Sequence, residues 1–183
     1  MKKERSWTGR PERGEFADYA ASDIDAVPGG DAVLALVQLE SETRALFESL
    51  RALVDGGTTY APGKWTLKEV LGHIIDDERI FACRILCVAR GEAAALPGFD
   101  EKSYVAAADF ESRTLSSLLQ EYATLRAATV SMLENLPEAS WGRRGCVNGY
   151  AASPRGLAFH IAGHELHHHR VIRDRYLPLL DAS

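Results

Sequence analysis

Leu36, Leu39, Thr43, Leu46, Leu50 and Leu53 recur at alternating intervals of three and four residues, the signature of one helix face. Asp31 stands where it can cap that helix, and Gly56-Gly57 where the chain can leave it. A second segment carries Leu67, Leu71, Ile74, Phe81, Ile85 and Val88 along one seam. Its start is explicit: Thr66 and Glu69 make a T-x-x-E capping box, and Trp65 is placed to staple against Val70. The third segment, with Leu115, Leu118, Tyr122, Leu125, Thr129, Met132 and Leu136, is stopped by Pro137. The fourth opens with Ser153 as N-cap and Pro154 in the first helical position, and ends before Pro178. Residues 1–30 are rich in Gly, Pro and charge (RPERGE, VPGGD) and read as an extended N-terminal arm. No alternating strand pattern competes with these helices. Four amphipathic helices, each with one apolar stripe, can hide the stripes only against one another. The expected fold class is all-α, a four-helix bundle forming a single domain over 1–183. The connection from Arg90 to about Phe110, containing LPGFDEKSY, exceeds what antiparallel neighbours need and is long enough for a crossover or a lid.

The formal charge of −5 and an isoelectric point near 5.7 carry no electropositive footprint, which argues against nucleic-acid binding. No apolar run reaches the length of a membrane span, and MKKERSWTGR lacks the apolar core of a signal peptide. The three cysteines are an odd number without zinc-ribbon spacing. Cys83 and Cys87, one turn apart, read as small core residues, and Cys146 as an exposed loop cysteine beside Arg143 and Arg144. A cytoplasmic, disulfide-free protein is the expectation.

Against that plain background stands GHELHHHR, which packs four of the six histidines into residues 163–170. The seam of the fourth helix reads Leu157, Ile161, His164, His168, Val171, Arg175, so two imidazoles at i and i+4 occupy core positions. His160 and His167 fall within roughly 60° of His164 at 100° per residue, and His169 lies on the other side. Imidazoles in an apolar seam need polar partners, and a metal ion supplies one to both. Outside the fourth helix the chain has a single histidine, His73 in the second. His73 opposite His164 and His168 gives a three-imidazole set with open coordination positions, the layout of a catalytic rather than a structural site. One divalent ion is expected; zinc, nickel, iron or copper suits three histidines. Asp77, closer to the seam than His73, is a candidate orienter, fourth ligand or base. Asp76 and Glu78 read as a solvated helix face.

His164, Glu165 and His168 also spell H-E-x-x-H, the zinc-peptidase signature. Such peptidases take a third ligand downstream, yet only fifteen residues follow His168, with His169 the sole later histidine. There is no evident sheet to hold an extended peptide, so the peptidase reading fails. Glu165 lies about 100° from His164 and is kept beside Asp77 as a catalytic candidate within reach of a water on the ion.

YAPGKWTLKEVLGHIIDDERIFACRIL, then LPGFD, then GHELHHHRVIRDRYL, in that order and spacing, resembles the DinB/YfiT-like superfamily of bacterial metal-binding bundles. The resemblance runs from RPERGEFADY through Tyr176. It implies a four-helix bundle in which one histidine of the second helix and an H-x-x-x-H pair of the last hold a divalent metal. These positions fall on His73, His164 and His168, the set that periodicity reaches independently. Characterised members are S-transferases using bacillithiol, mycothiol or glutathione, or a mycothiol-dependent isomerase, and many others are labelled only metal-dependent hydrolases. The resemblance therefore implies a metal-dependent enzyme that transfers or activates a low-molecular-weight thiol. The alternatives are a metal-dependent hydrolase and a non-catalytic stress-response metal-binding module. No thiol-binding residue maps onto this chain, and His160 and His167 are assigned no role. The expected partners are a small-molecule substrate and a second copy of the chain, without nucleic acid or membrane.

Overall fold

The computed structural model describes residues 9–180. Four long helices dominate it: α2 (Ala32–Ser49), α4 (Leu67–Arg90), α6 (Leu115–Glu134) and α7 (Pro154–Val171). Their starts follow the sequence signals. The Asp31 side chain accepts from Val33 N and Leu34 N, and the Thr66–Glu69 capping box closes in both directions. Ser153 caps α7, with Pro154 immediately inside it. Three shorter helices complete the set among the described residues: α1 (Ala21–Ala26), α3 (Arg51–Asp55) and α5 (Glu101–Ala108).

Each long helix packs against two of the others, in the cyclic order α2–α6–α4–α7. Chain neighbours α4 and α6 are thus adjacent, while α2 to α4 and α6 to α7 step across the bundle. The Arg90–Phe110 connection is therefore not where the chain crosses over. Its length is used by α5, which lays Val105 into the core, and by Phe110 just beyond. Helices α4 and α7 run antiparallel: His73 meets His168 and His164, and further along Phe81 stacks on His160.

Three expectations are corrected. The arm is not simply extended: residues 1–8 lie outside the described region, but Asp18–Ala20 forms a 3-10 turn and α1 follows it. α1 packs on α7, burying Ile24 and, just after it, Val27. A short antiparallel hairpin exists, β1 (Gly145–Val147) with β2 (Tyr150–Ala152), turning at Asn148 and Gly149 with positive φ at both. With three residues per strand it is too short to show alternation in sequence. Cys83 is exposed and Cys87 half-buried, because they lie on the outward side of α4; Cys146, on β1, is exposed as expected.

The core is in two parts. One cluster gathers Ile24, Leu36, Leu39, Phe81, Ile85 and Leu133. The other gathers Phe47, Leu71, Ile75, Leu118, Tyr122 and Ile172. On every long helix the residues between the two clusters are polar: Thr43, Glu78, Arg126 with Thr129, and Glu165 with His169. The expectation of a solvated Glu78 is thus wrong. It is 1 % exposed, and the Arg126 guanidinium grips both its carboxylate oxygens at 2.9–3.1 Å. Asp76 stays near the surface beside Arg79, as expected.

Candidate metal centre

The antiparallel pairing of α4 and α7 brings the three predicted ligands together. His73 Nε2 lies 3.0 Å from His164 Nε2, which lies 3.1 Å from His168 Nε2. The three ligand nitrogens fall within 4.8 Å of one another. His73 is 2 % exposed and packs its ring against Trp65, the residue just before the cap of α4. His168 is nearly buried and His164 partly open.

Asp77, one turn beyond His73, reaches the far side of His164. Its Oδ2 is buried, 3.3 Å from His164 Nδ1 and 3.7 Å from His160 Nε2, with no hydrogen bond of good geometry to either. Burial alone would raise the pKa of this carboxyl, but His164 and His160 overcome it and hold Asp77 well below the usual carboxylate range. Burial, reinforced by His164, lowers His73 to about 4 and His168 to about 2; burial also lowers His164 against the pull of Asp77. The imidazoles are therefore neutral near pH 7, the form that donates a lone pair.

This donor set fits a divalent ion. The Asp77 carboxylate favours the proton of His164 on Nδ1, which leaves a bare lone pair at Nε2. One lone pair cannot satisfy both His73 and His168, whose own Nε2 atoms approach it from two sides. A cation at the shared point satisfies all three.

Other titratable groups near the site separate by position. Glu165 is 1 % exposed and fully engaged in the polar layer: Oε1 accepts from Thr43 Oγ1 and the Tyr122 hydroxyl, and Oε2 from Arg126 Nη2 at 2.5 Å. Glu165, a catalytic candidate from sequence, is thus held in the polar layer and not at the point where the three histidines converge. At about 100° per residue, position 165 is rotated off the face shared by His164 and His168, toward α2 and α6. His169 follows it there, its Nε2 2.6 Å from Thr43 Oγ1. His160 stacks on Phe81 with ring centroids 3.9 Å apart, and His167 Nδ1 lies 3.4 Å from Asp23 on α1. Neither joins the triad.

Two residues escaped the sequence reading. Arg126 organises the buried layer, taking Glu78, Glu165 and the Leu36 carbonyl. Its signal was present: Tyr122, Arg126 and Thr129 repeat at four and three on one face. The second is Glu101, in the first turn of α5, whose half-exposed carboxylate comes within 3.9 Å of His73 Nε2. Nothing in its local pattern separates it from an ordinary loop acid.

With this geometry in place, comparison with known proteins decides the family. A family model described as the DinB superfamily matches residues 35–172. The chain belongs to the DinB superfamily. Among solved structures it is similar to that of YfiT from Bacillus subtilis, described as a probable metal-dependent hydrolase with an unusual four-helix bundle topology. The two are 18% identical with a TM-score of 0.68, over 93% of this chain and 94% of that one. That likeness establishes the shared fold. No curated protein matches the sequence significantly.

Proposed function

We propose that this DinB-superfamily protein is a metal-dependent enzyme acting on a small molecule, with His73, His164 and His168 as the ligands of one divalent ion. The observation that carries the reading is the convergence of three neutral imidazole nitrogens from two helices on one partly open point. A bound ion there supplies Lewis acidity, lowering the pKa of the nucleophile it contacts. The protein's own part is positional. Asp77 orients His164 through Nδ1, Trp65 fixes the ring of His73, and burial keeps water away from the backs of the rings.

Within that reading a low-molecular-weight thiol is the favoured nucleophile. Neither carboxylate the sequence nominates as a base faces the shared point: Asp77 stands behind His164 at Nδ1, and Glu165 is engaged by Arg126, Tyr122 and Thr43. A thiol, with a pKa near 8.5, needs far less help to ionise than water does. Hydrolysis is the second reading, favoured by the structural likeness to YfiT, itself described as a probable metal-dependent hydrolase.

Metal analysis of purified protein tests the ligand set. Wild type should carry about one divalent ion per chain, and His73→Ala, His164→Ala and His168→Ala should each lose most of it. Undiminished metal in His164→Ala sinks the site. A panel of small thiols with monochlorobimane, run beside ester and amide hydrolysis, then separates the two reactions.

A further inference from the structure

Two carboxylates approach the histidine triad, from opposite ends of the rings. Asp77 meets His164 at Nδ1, the nitrogen facing away from His73 and His168. Glu101 comes within 3.9 Å of His73 at Nε2, the same nitrogen that lies 3.0 Å from His164 Nε2. One carboxylate therefore stands behind a ligand, and the other stands on the side where a metal would sit.

The position of Glu101 is built by its surroundings. At the start of its connection, Leu96 N donates to Cys146 O and Asn148 N donates to Leu96 O, each at 2.9 Å, which ties the segment to the hairpin. Arg84 Nη2 donates to the Pro97 carbonyl at 2.7 Å. Asp100 then caps α5, accepting from Lys102 N at 3.1 Å and from Ser103 Oγ at 2.6 Å, so Glu101 occupies the first helical position. At the far end Phe110 seats against Gly72, where a Cβ would come within 2.4 Å of the ring. With both ends held, the α5 N-terminus is fixed beside His73. The side chain itself is half-exposed, and among the described residues His73 is its only ion-pair partner.

We propose that Glu101 is an exchangeable fourth ligand of the ion, delivered by α5 and displaced when an outside ligand binds; this rests on the metal-binding reading above. Three neutral imidazoles bring no charge to a dication and Asp77, behind His164, balances only one of its two charges; the half-exposed Glu101 carboxylate on the open side can balance the second. Two ligand atoms on one tetrahedral ion, with bonds of ~2.0–2.1 Å, sit roughly 3.3 Å apart. At 3.9 Å from His73, and outside the 4.8 Å group formed by the three nitrogens, the carboxylate reaches the ion by swinging inward, a movement for which its half-exposed side chain has solvent room. The same exposure lets the carboxylate swing out again, so the fourth position is occupied at rest and open to substrate.

Zinc and cobalt(II) titrations of the metal-free full-length chain test this, comparing wild type, Glu101→Gln and His164→Ala. Gln keeps the length and the helix start while removing the anionic oxygen. Glu101→Gln should bind both metals on the order of tenfold more weakly, with circular dichroism unchanged, and its cobalt visible absorption should differ from wild type. β-Mercaptoethanol added to the two cobalt proteins should bring their spectra together, because the thiolate then fills the fourth position in both. Wild-type affinity and a wild-type spectrum in Glu101→Gln, with binding lost in His164→Ala, overturn the fourth ligand and leave the triad standing. Failure of the wild type to take up either metal overturns both.

Discussion

At the scale of single residues, the two acids nominated from sequence have separate lives. Asp77 touches the rings of His164 and His160 and owes its low pKa to them despite burial. Glu165, adjacent in sequence to His164, is a counter-ion of the core; burial would raise its pKa, but Arg126, Thr43 and Tyr122 keep it ionised. Their neutral isosteres should therefore fail differently. Asp77→Asn should weaken metal binding by roughly 10–100-fold with little change in melting temperature. Glu165→Gln should lower the melting temperature and leave metal stoichiometry intact. A competition assay with a chromophoric chelator, paired with thermal unfolding, reads both. Lost turnover in a fully stable, metal-replete Glu165→Gln would restore Glu165 as a proton carrier.

At the scale of elements, α7 is shaped on two sides. One face presents the imidazoles to α4; elsewhere two glycines let the arm lie directly on the helix. A Cβ at Gly163 would stand 2.4 Å from Asp23 O, and one at Gly156 would stand 2.0 Å from Glu15 O. Backbone cannot yield as a flexible side chain can, so these glycines are needed for close approach rather than for φ. Gly163→Ala should push α1 off α7 at a cost of about 1–3 kcal/mol. Limited proteolysis should then cut between residues 9 and 30 in the variant before it cuts wild type. Equal protection in both would show that the arm contributes no stability through this contact. The arm eluded the sequence reading because α1 has only six residues and no side-chain cap. Its helix exists because Ile24 and Val27 find an apolar surface to cover.

At the scale of the whole molecule, the polar layer decides how the bundle is held. All four long helices contribute, and Arg126, 2 % exposed, joins Glu78, Glu165 and the α2 carbonyl of Leu36. Burying such a cluster is not obviously stabilising, since desolvation offsets the Coulomb attraction. Leaving it half-broken is costly. Arg126→Met strands two buried carboxylates and should cost about 3–5 kcal/mol in denaturant unfolding. The triple replacement Glu78→Leu, Arg126→Met, Glu165→Leu should recover much of that loss. If the triple is no more stable than Arg126→Met alone, the layer is held by something other than charge pairing.

The sequence alone determined the four long helices, their caps and the three histidines that the fold brings together. These depend on periodicity, short capping motifs and i, i+4 spacing, which are local properties of a chain. It even held a trace of the buried layer. The seam of α4 jumps seven residues from Ile74 to Phe81, and Glu78 fills the gap at intervals of four and three. What the pattern could not supply was the partner: a charged residue on a seam reads as surface until another helix brings the opposite charge against it. Only the tertiary structure set α6 beside α4 and α2, and so gave Glu78 its Arg126. The same is true of Glu101, twenty-eight residues beyond His73 in the chain. Its place beside the imidazole follows from two anchored loop ends, a relation that exists only once the bundle is closed.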